Sequence, residues 1–344
     1  MGTLMFAEAQ EAAEVAARQL RENRTRVTEI AARLRTLDAP FALTLARGSS
    51  DHAAAFAKVL FETRLGLPVV SHAPSIGSLY RATSPRLAGT PMLAISQSGR
   101  SPDLLAAARA AQAAGAVVVA LVNDEASPLA ELADHVLPLH AGQERSVAAT
   151  KSFVASLVAV ASLTAAWSGD EVLNHALDGA GEAIAESFAL DWSAAVPMLR
   201  DVQSMLVLGR GLTLPIAGEA ALKFKETCAL HAEAFSIAEV AHGPMTLVRA
   251  GDPVFVFAPE DAAREGTAER MRAFIERGAQ VIAAGDPADT EGAALRLPIV
   301  GHAHPVIGAI GAIASFYRMV EALAHARGRD PDRPPYLSKV TQTR

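Results

Sequence analysis

One apolar stretch of the sequence, Glu219 to Pro244, carries more separated ionisable groups than any other part of the chain. A helix, with about 3.6 residues per turn, places Glu219, Lys223 and Glu226 on one face. One interpretation is a pair of surface ion pairs, each worth a few tenths of a kcal/mol. The other is a site in which these charged groups move protons. The spacing alone does not decide between the two interpretations.

Two histidines follow in the same stretch. His231 and His242 lie on either side of Glu233, and the sequence His242-Gly243-Pro244 is typical of a turn. Imidazole changes its charge near neutral pH, so acids, a lysine and histidines close together could carry out proton transfer. The histidines therefore favour the functional interpretation of the helix.

A second candidate site is the serine-rich segment Ser96 to Pro102, SQSGRSP, which follows an apolar run. We predict that a helix begins at Pro102 and that Ser101 caps it. Hydroxyl, amide and backbone N–H donors that converge on a helix N-terminus suit a phosphate group. The alternative is a well-capped turn that binds nothing, and this loop alone leaves both possibilities open.

The elements that must position these residues occur twice in the chain. Four short motifs recur in the same order about 160 residues later, each at one end of an apolar run; they include Leu45–Gly48 with Leu208–Gly211 and Pro91–Ile95 with Pro253–Phe257. Such self-similarity indicates a duplicated α/β unit. At the position of the serine loop the second copy has Ala258-Pro259-Glu260-Asp261, which is acidic and unsuited to an anion.

Within each copy, runs rich in Val, Ile and Leu alternate with Ala-rich helical stretches. In the first copy the predicted strands are 41–46, 68–72, 91–96, 116–122 and 136–139, and the predicted helices lie near 52–64, 102–114 and 128–133. Apolar strands separated by helices indicate a parallel sheet covered on both faces. Such sheets bind ligands beyond the carboxyl ends of their strands.

The predicted organisation has five parts. They are an N-terminal helical hairpin (1–38), a first α/β domain with the serine loop (39–168), a linker and helix (169–200), a second α/β domain with the charged helix (201–326) and a C-terminal tail (327–344).

Composition excludes several classes of protein. The chain has 344 residues and a formal charge of -6, so nucleic acid is not its expected partner, since phosphate neutralisation needs a basic face. Its single cysteine, Cys228, excludes an internal disulfide and is expected to be a small buried hydrophobe.

The N-terminus lacks the pattern of a signal peptide. The apolar run Phe153 to Ala166 is too short to span a bilayer and predicts a buried helix. We expect a soluble cytoplasmic protein that does not bind membranes.

From about residue 40 onward, the motifs resemble the double SIS (sugar isomerase) domain family, in particular the isomerase half of glucosamine-6-phosphate synthase. The segments that carry the resemblance are GSS at Gly48–Ser50, SQSG with Ser101, SVAATK at Ser146–Lys151, the stretch Glu219–Pro244, and the tail from Gly328 to Thr341. The resemblance implies two tandem SIS domains, each a flavodoxin-like three-layer αβα sandwich with a parallel sheet. It also implies a homodimer.

The resemblance further implies a hexose 6-phosphate or aminohexose 6-phosphate as ligand. Its phosphate would be bound by Ser96, Gln97, Ser98 and Ser101. The sugar would lie near Ser50, the backbone of Val147, and Ala149.

The catalytic roles that the resemblance implies require no metal and no cofactor. His242 would open the sugar ring, and Glu226 would move a proton between C1 and C2. Lys223 and Glu219 would hold the charge environment of Glu226. Lys339 could form a Schiff base with a ketose carbonyl.

Three positions depart from the family pattern. Ala149 stands where the family has Ser, and Arg100 stands where it commonly has Glu. Residue 2 is Gly, whereas the glutaminase domain of the synthase begins with a nucleophilic cysteine, so we expect no glutamine hydrolysis.

The resulting hypothesis is a deaminase that converts glucosamine 6-phosphate to fructose 6-phosphate and ammonia. The alternatives are an isomerase or fructosamine-6-phosphate deglycase acting on another phosphosugar, and a non-catalytic phosphosugar sensor.

Overall fold

The computed structural model of the protein describes residues 2–82, 84–302 and 304–339. The predicted tail continues beyond Lys339, so its Val340 and Thr341 lie outside the described residues. The chain forms two compact units, which are described separately. The first unit contains Glu14–Glu144, Lys151–Gly179 and the described residues from Leu337. The second contains the described residues up to Ala13, Arg145–Thr150 and Ala180–Tyr336.

The first unit is built on a five-stranded parallel sheet with the order β2-β1-β3-β4-β5. Its strands are β1 (Ala42–Leu45), β2 (Val69–Ser71), β3 (Pro91–Ser96), β4 (Val117–Val122) and β5 (His135–Pro138). The predicted strands are thus confirmed to within one or two residues at each end. All six residues of β3 are buried, as expected of a central strand covered on both faces.

The second unit repeats this topology. Its strands are β6 (Ser204–Gly209), β7 (His231–Ser236), β8 (Pro253–Phe257), β9 (Gln280–Ala284) and β10 (Leu295–Leu297). Their order, β7-β6-β8-β9-β10, is the same as in the first unit when the strands are counted from β6. Every described pairing in both sheets is parallel. The flavodoxin-like αβα fold and its duplication are therefore confirmed.

Helices cover the sheets and form the N-terminal region. They are α1 (Leu4–Gln10), α2 (Ala12–Glu22), α3 (Arg24–Arg35), α4 (Ser49–Arg64), α5 (Pro74–Ser78), α6 (Pro102–Ala113), α7 (Pro128–Leu132), α8 (Lys151–Ser168), α9 (Glu171–Asp178), α10 (Ala180–Ala189), α11 (Ala195–Leu199), α12 (Thr213–Cys228), α13 (Thr267–Glu276) and α14 (Pro305–Ala326). Short 3-10 helices lie at Pro85–Leu87, Glu239–His242, Pro244–Leu247 and Ala262–Arg264. Proline begins α6, α7 and α14, where its missing N–H costs no hydrogen bond.

Two of these helices are long and apolar enough to cross a membrane by length and composition alone. They are α8 and α14, and 78 % and 83 % of their most apolar windows are buried inside the protein. Such burial is typical of the core helices of a soluble protein, as predicted for Phe153 to Ala166.

An aromatic cluster joins β8, α12 and α14 in the second unit. Its rings pack edge-on or tilted, with centroids 5.0 to 6.3 Å apart, and belong to Trp192, Phe224, Phe255, Phe257 and Phe316. Large aromatic side chains contribute much of a core's stability, so the cluster holds α12 firmly on the sheet. The helix ends at Cys228 because Ala229 takes a left-handed conformation, with φ of 49°.

Candidate active site

The predicted phosphate loop lies at the carboxyl edge of the first sheet. It follows β3, while Ser50 lies in the first turn of α4, directly after β1. The two strands are neighbours, with Leu45 paired to Ala94. In this strand order β2 lies on one side of β1 and β3 on the other, so the order of strand addition reverses between β1 and β3, the place where such sheets bind ligands. The fold therefore brings the two predicted substrate loops of this unit to one edge.

Hydrogen bonds between neighbouring residues of the loop fix its shape. The hydroxyl oxygen of Ser96 accepts from the Gly99 N–H at 3.1 Å, and that of Ser98 accepts from the Arg100 N–H at 3.3 Å. Gly99 has φ of +61°, and a Cβ there would lie 2.2 Å from the Ser127 hydroxyl oxygen. The loop therefore requires glycine at this position on two independent grounds.

Arg100, the residue that departs from the family pattern, is directed to a carboxylate. Its Nη2 lies 2.8 Å from Oδ2 of Asp124, and this hydrogen bond lowers the pKa of that carboxyl. Both side chains are about half exposed. In this structure Arg100 is thus one partner of a solvated ion pair.

Ser101 and Pro102 begin α6 as predicted, but the Ser101 side chain makes no capping hydrogen bond. Its hydroxyl is therefore not committed to the helix. Beside it, Arg47 binds Asp103 with two N–H groups at 2.8 and 3.1 Å, and this aspartate is only 3 % exposed. The ion pair ties the end of β1 to the first turn of α6.

The position equivalent to the phosphate loop in the second sheet leaves little room for a ligand. Residues 258–261 occupy the position of the phosphate loop there, and burial, followed by the charge of Asp286, raises the pKa of Glu260. Its Oε2 lies so close to α14 that a Cβ on Gly308 would be 1.8 Å away. The cavity at this edge measures about 10 Å³, room for one water at most.

Three charged residues on α12 form a buried cluster. The predicted helix is confirmed, and both Glu219 and Lys223 have 0 % of their side chains exposed. The Lys223 ammonium lies 3.4 Å from Oε1 of Glu219 and forms a short hydrogen bond with Glu226. Glu226 is the accessible member, with 22 % of its side chain exposed. The interpretation of these residues as surface ion pairs is therefore wrong.

Burial and charge oppose each other at Lys223. Burial alone would lower the pKa of its ammonium, but the two carboxylates outweigh burial and raise it. The lysine is therefore held in its charged form. A buried cation that loses one of its partners strongly destabilises the fold. The charges of the three side chains therefore depend on one another.

Tyr317 on α14 is a fourth member that the motifs do not reveal. Its hydroxyl donates to Oε1 of Glu219 at 3.0 Å and is buried. The two residues are 98 positions apart in the chain, so only the packing of α12 on α14 brings them together. The sequence signal that could have found it is a tyrosine, with its polar hydroxyl, in the mostly apolar helix α14.

His231 lies at the amino end of β7, whereas His242 lies beyond its carboxyl end. His231 begins the strand, with Nδ1 3.4 Å from the Ser204 hydroxyl oxygen, and lines a groove of about 580 Å³ at the amino edge of the sheet. His242 comes after the carboxyl end of the strand, in the predicted turn, and is exposed. The histidines therefore do not belong to one cluster.

The segment with Val147 and Ala149 is held by residues far away in sequence. Glu8 of α1 accepts backbone N–H groups of Arg145 and Ser146 at 2.5 and 3.1 Å. The Val147 N–H donates to the carbonyl of Asp332 at 3.3 Å. Val147 and Ala149 are both partly exposed.

Lys339 lies in the first unit and is partnered by Glu144. Its Nζ is 2.8 Å from Oε2 of this buried carboxylate. Cys228 is fully buried, as predicted for a small buried hydrophobe, and burial raises the pKa of its thiol to about 11. Among the described residues no group of three or more His, Cys, Asp or Glu side chains could hold a metal ion.

Comparison with known proteins identifies the repeated domain. The model of the SIS domain family matches residues 38–166 and 198–326. Glutamine–fructose-6-phosphate aminotransferases (isomerizing) of Halobacterium salinarum and Thermus thermophilus are 36 % and 33 % identical to this chain, over 86 % of its length. The alignments cover 50 % and 51 % of those enzymes, so the chain spans about half the length of the curated relatives it matches.

Solved structures give the same result. A crystal structure from Silicibacter pomeroyi DSS-3, provisionally named a phosphosugar isomerase, is 45 % identical with a TM-score of 0.89, covering 96 % of this chain and 100 % of that one. Glucosamine-6-phosphate deaminase from Thermotoga maritima has a TM-score of 0.79 at 19 % identity, covering 99 % and 100 %, which shows the shared fold alone. The protein therefore belongs to the SIS family and contains two SIS domains in tandem.

Proposed function

We propose that this protein is a phosphosugar aldose–ketose isomerase and deaminase that converts glucosamine 6-phosphate to fructose 6-phosphate and ammonia. The observation that carries the proposal is the cluster on α12. It presents a single partly exposed carboxylate, Glu226, backed by a buried ammonium. A carboxylate held in this way is suited to act as a general base.

The serine loop would bind the phosphate group. Ser96, Gln97, Ser98 and Ser101 follow a central strand and precede α6, so hydroxyls and helix N–H groups are available to phosphate oxygens. Ser50 and the backbone around Val147 and Ala149 would contact the sugar. The uncommitted hydroxyl of Ser101 supports this assignment.

Glu226 would move the proton from C2 to C1 after the ring has opened. In the open-chain aldose the C2 proton is removed by the carboxylate and returned to C1, which leaves an imine at C2 that water hydrolyses. Lys223 keeps the cluster from carrying two uncompensated negative charges, and Glu219 fixes that lysine. His242 would open the ring, and Lys339 would bind the ketose carbonyl as a Schiff base.

The names of the two aminotransferase relatives describe isomerisation and amino transfer on fructose 6-phosphate, which supports a hexose 6-phosphate as substrate class. The proposal includes a cytoplasmic homodimer that needs neither metal nor cofactor. Light scattering on the purified protein tests the dimer directly, since a monomer mass at micromolar concentration contradicts it.

The first experiment follows fructose 6-phosphate and ammonia together while the purified protein is incubated with glucosamine 6-phosphate. We expect equal release of both products. Glu226→Gln should reduce kcat by about 10² to 10⁴-fold, the usual contribution of a general base. The matched control is Glu269→Gln, which changes an exposed glutamate in the first turn of α13 and should keep wild-type activity.

Two outcomes count against the proposal. A loss of less than about tenfold in Glu226→Gln removes the base from the mechanism. Release of no ammonia, with glucosamine 6-phosphate still raising the melting temperature, assigns the phosphate loop to another phosphosugar or to a sensor.

A further inference from the structure

Lys339 and Glu144 form an ion pair that joins positions 195 residues apart within the first unit. The distance from Nζ to Oε2 is 2.8 Å, and the side chains are 24 % and 0 % exposed respectively. The anion is thus fully buried, whereas the cation can still be approached from one side. No motif in the sequence connects these two residues.

The carboxylate of Glu144 is fixed independently of the lysine. Its Oε1 accepts the backbone N–H of Ser152 at 3.1 Å, and its Oε2 accepts the Ser152 hydroxyl at 2.6 Å. Ser152 is the second residue of α8, an 18-residue helix. The carboxylate therefore lies over the first helical turn, where the helix dipole favours negative charge. Oε2 accepts both the Ser152 hydroxyl and the Lys339 ammonium.

We propose that Glu144 is the positioning residue for Lys339. It holds Nζ at a fixed place on the unit that carries the phosphate loop, and it is the counter-ion of that nitrogen before and after Schiff-base formation. This inference rests on the function proposed above, because it concerns the lysine assigned there to the ketose carbonyl.

The charge on Nζ explains why a fixed anion suits this step. Glu144 accepts one proton from the Lys339 ammonium, and the neutral amine then forms a bond to the carbonyl carbon of the ketose. The C–O bond breaks, and the oxygen leaves as water with two of the three ammonium protons, one of them returned by Glu144. The nitrogen keeps the third proton as an iminium. The Lys339 nitrogen carries a charge of +1 before condensation, as an ammonium, and after it, as an iminium. The buried carboxylate of Glu144 therefore has a positive partner in both states.

If Glu144 positions Lys339, replacing it should slow Schiff-base formation without weakening substrate binding. Phosphate recognition by the serine loop does not involve Glu144, so Glu144→Gln should bind fructose 6-phosphate with an unchanged thermal shift. Condensation should slow, because the amide carries no charge and cannot accept the proton. A merely structural role for Glu144 would instead change melting temperature and binding together.

The test traps the Schiff base with borohydride in the presence of fructose 6-phosphate and follows the adduct by mass spectrometry. We expect an adduct on Lys339 in the wild type and a rate at least about tenfold lower in Glu144→Gln. Glu125→Gln, which removes an exposed carboxylate of the same unit, is the matched control and should react at the wild-type rate.

Limited trypsin digestion tests the ion pair in the absence of substrate. The quantity measured is the rate of cleavage after Lys339. Loss of a hydrogen bond between charged groups should make cleavage in Glu144→Gln about tenfold faster than in the wild type. Lys339→Arg keeps a cation for Glu144 and a cleavage site, so it should stay protected while forming no adduct.

The possible failures are distinct. Equal adduct rates in the wild type and Glu144→Gln overturn the role of Glu144 and leave the proposed function standing. Absence of an adduct in the wild type, together with absence of ammonia release, overturns the proposed function and with it the chemical role of Glu144. Equal trypsin cleavage in the wild type and Glu144→Gln overturns the positioning of Lys339.

Discussion

The two sheets have the same strand order, but the loops at their carboxyl edges carry different side chains: serines in the first and carboxylates in the second. At the first edge, a loop with three serines leads into α6, and the Ser101 hydroxyl makes no capping bond. At the second edge, Glu260 and Asp261 stand in the same place, and the remaining cavity is about 10 Å³. The fold supplies a switch point in both copies, yet only one copy keeps side chains that suit an anion. A duplicated fold does not imply a duplicated site.

The second unit is instead distinguished by a helix face. Glu219, Lys223 and Glu226 lie on α12, away from the loop position that the first unit uses. The proposed function thus assigns anion recognition to one copy and proton transfer to the other.

The largest effect is expected from Ser98→Glu, which copies the second edge into the first, since position 98 corresponds to position 260. A carboxylate beside a phosphate introduces like-charge repulsion worth several kcal/mol. We expect KM for the phosphosugar to rise by at least about a hundredfold, measured in the coupled ammonia assay. The reciprocal change, Glu260→Ser, should leave KM within about twofold of the wild type. A similar rise in both variants would show that the two edges are not chemically distinct.

An intermediate effect is expected from Tyr317→Phe, which removes the hydroxyl that donates to Glu219. A hydrogen bond to a charged group contributes about 1.5 to 3 kcal/mol, so the free energy of unfolding in urea should fall by that amount. Tyr336→Phe is the matched control, because this tyrosine is fully exposed and its hydroxyl can be replaced by water. Equal stability of the two variants would mean that Tyr317 does not support the cluster on α12.

The smallest effect is expected from Glu260→Gln and depends on pH. Burial raises the folded-state pKa of Glu260 above the ordinary value of 4.5, so the folded protein favours the protonated acid. Wild-type stability is then lost as the pH rises from 4.5 through the raised folded-state value. The variant should match the wild type below that window and unfold at a higher temperature above it. Melting curves between pH 4 and pH 8 measure the difference, and a variant that is less stable at pH 8 contradicts the assignment.

The fold could be predicted from the sequence because its signals are local. Buried runs such as Pro91–Ser96, Pro102 at the start of α6, and the repeated motifs all lie within short segments. The helix of Glu219 and Lys223 was equally predictable, but its burial was not. A spacing of three and four residues defines a face, and only tertiary packing decides whether that face meets water.

The partners of the candidate site residues could not be predicted for a related reason. Tyr317 reaches Glu219 across 98 positions, and Glu144 reaches Lys339 across 195. Pairing at such separations depends on how helices and loops pack. The roles of the predicted site residues themselves remain predictions, for which the variants above are the tests.

Residues near both ends of the sequence hold the backbone of the Val147 segment, which we propose to contact the sugar. Asp332 accepts the backbone N–H groups of Leu4 and Met5 at 2.8 and 2.7 Å, while its carbonyl accepts that of Val147. Glu8 holds the preceding two residues of the same segment. An affinity tag or a truncation near Leu4 would therefore loosen a loop more than 130 residues away.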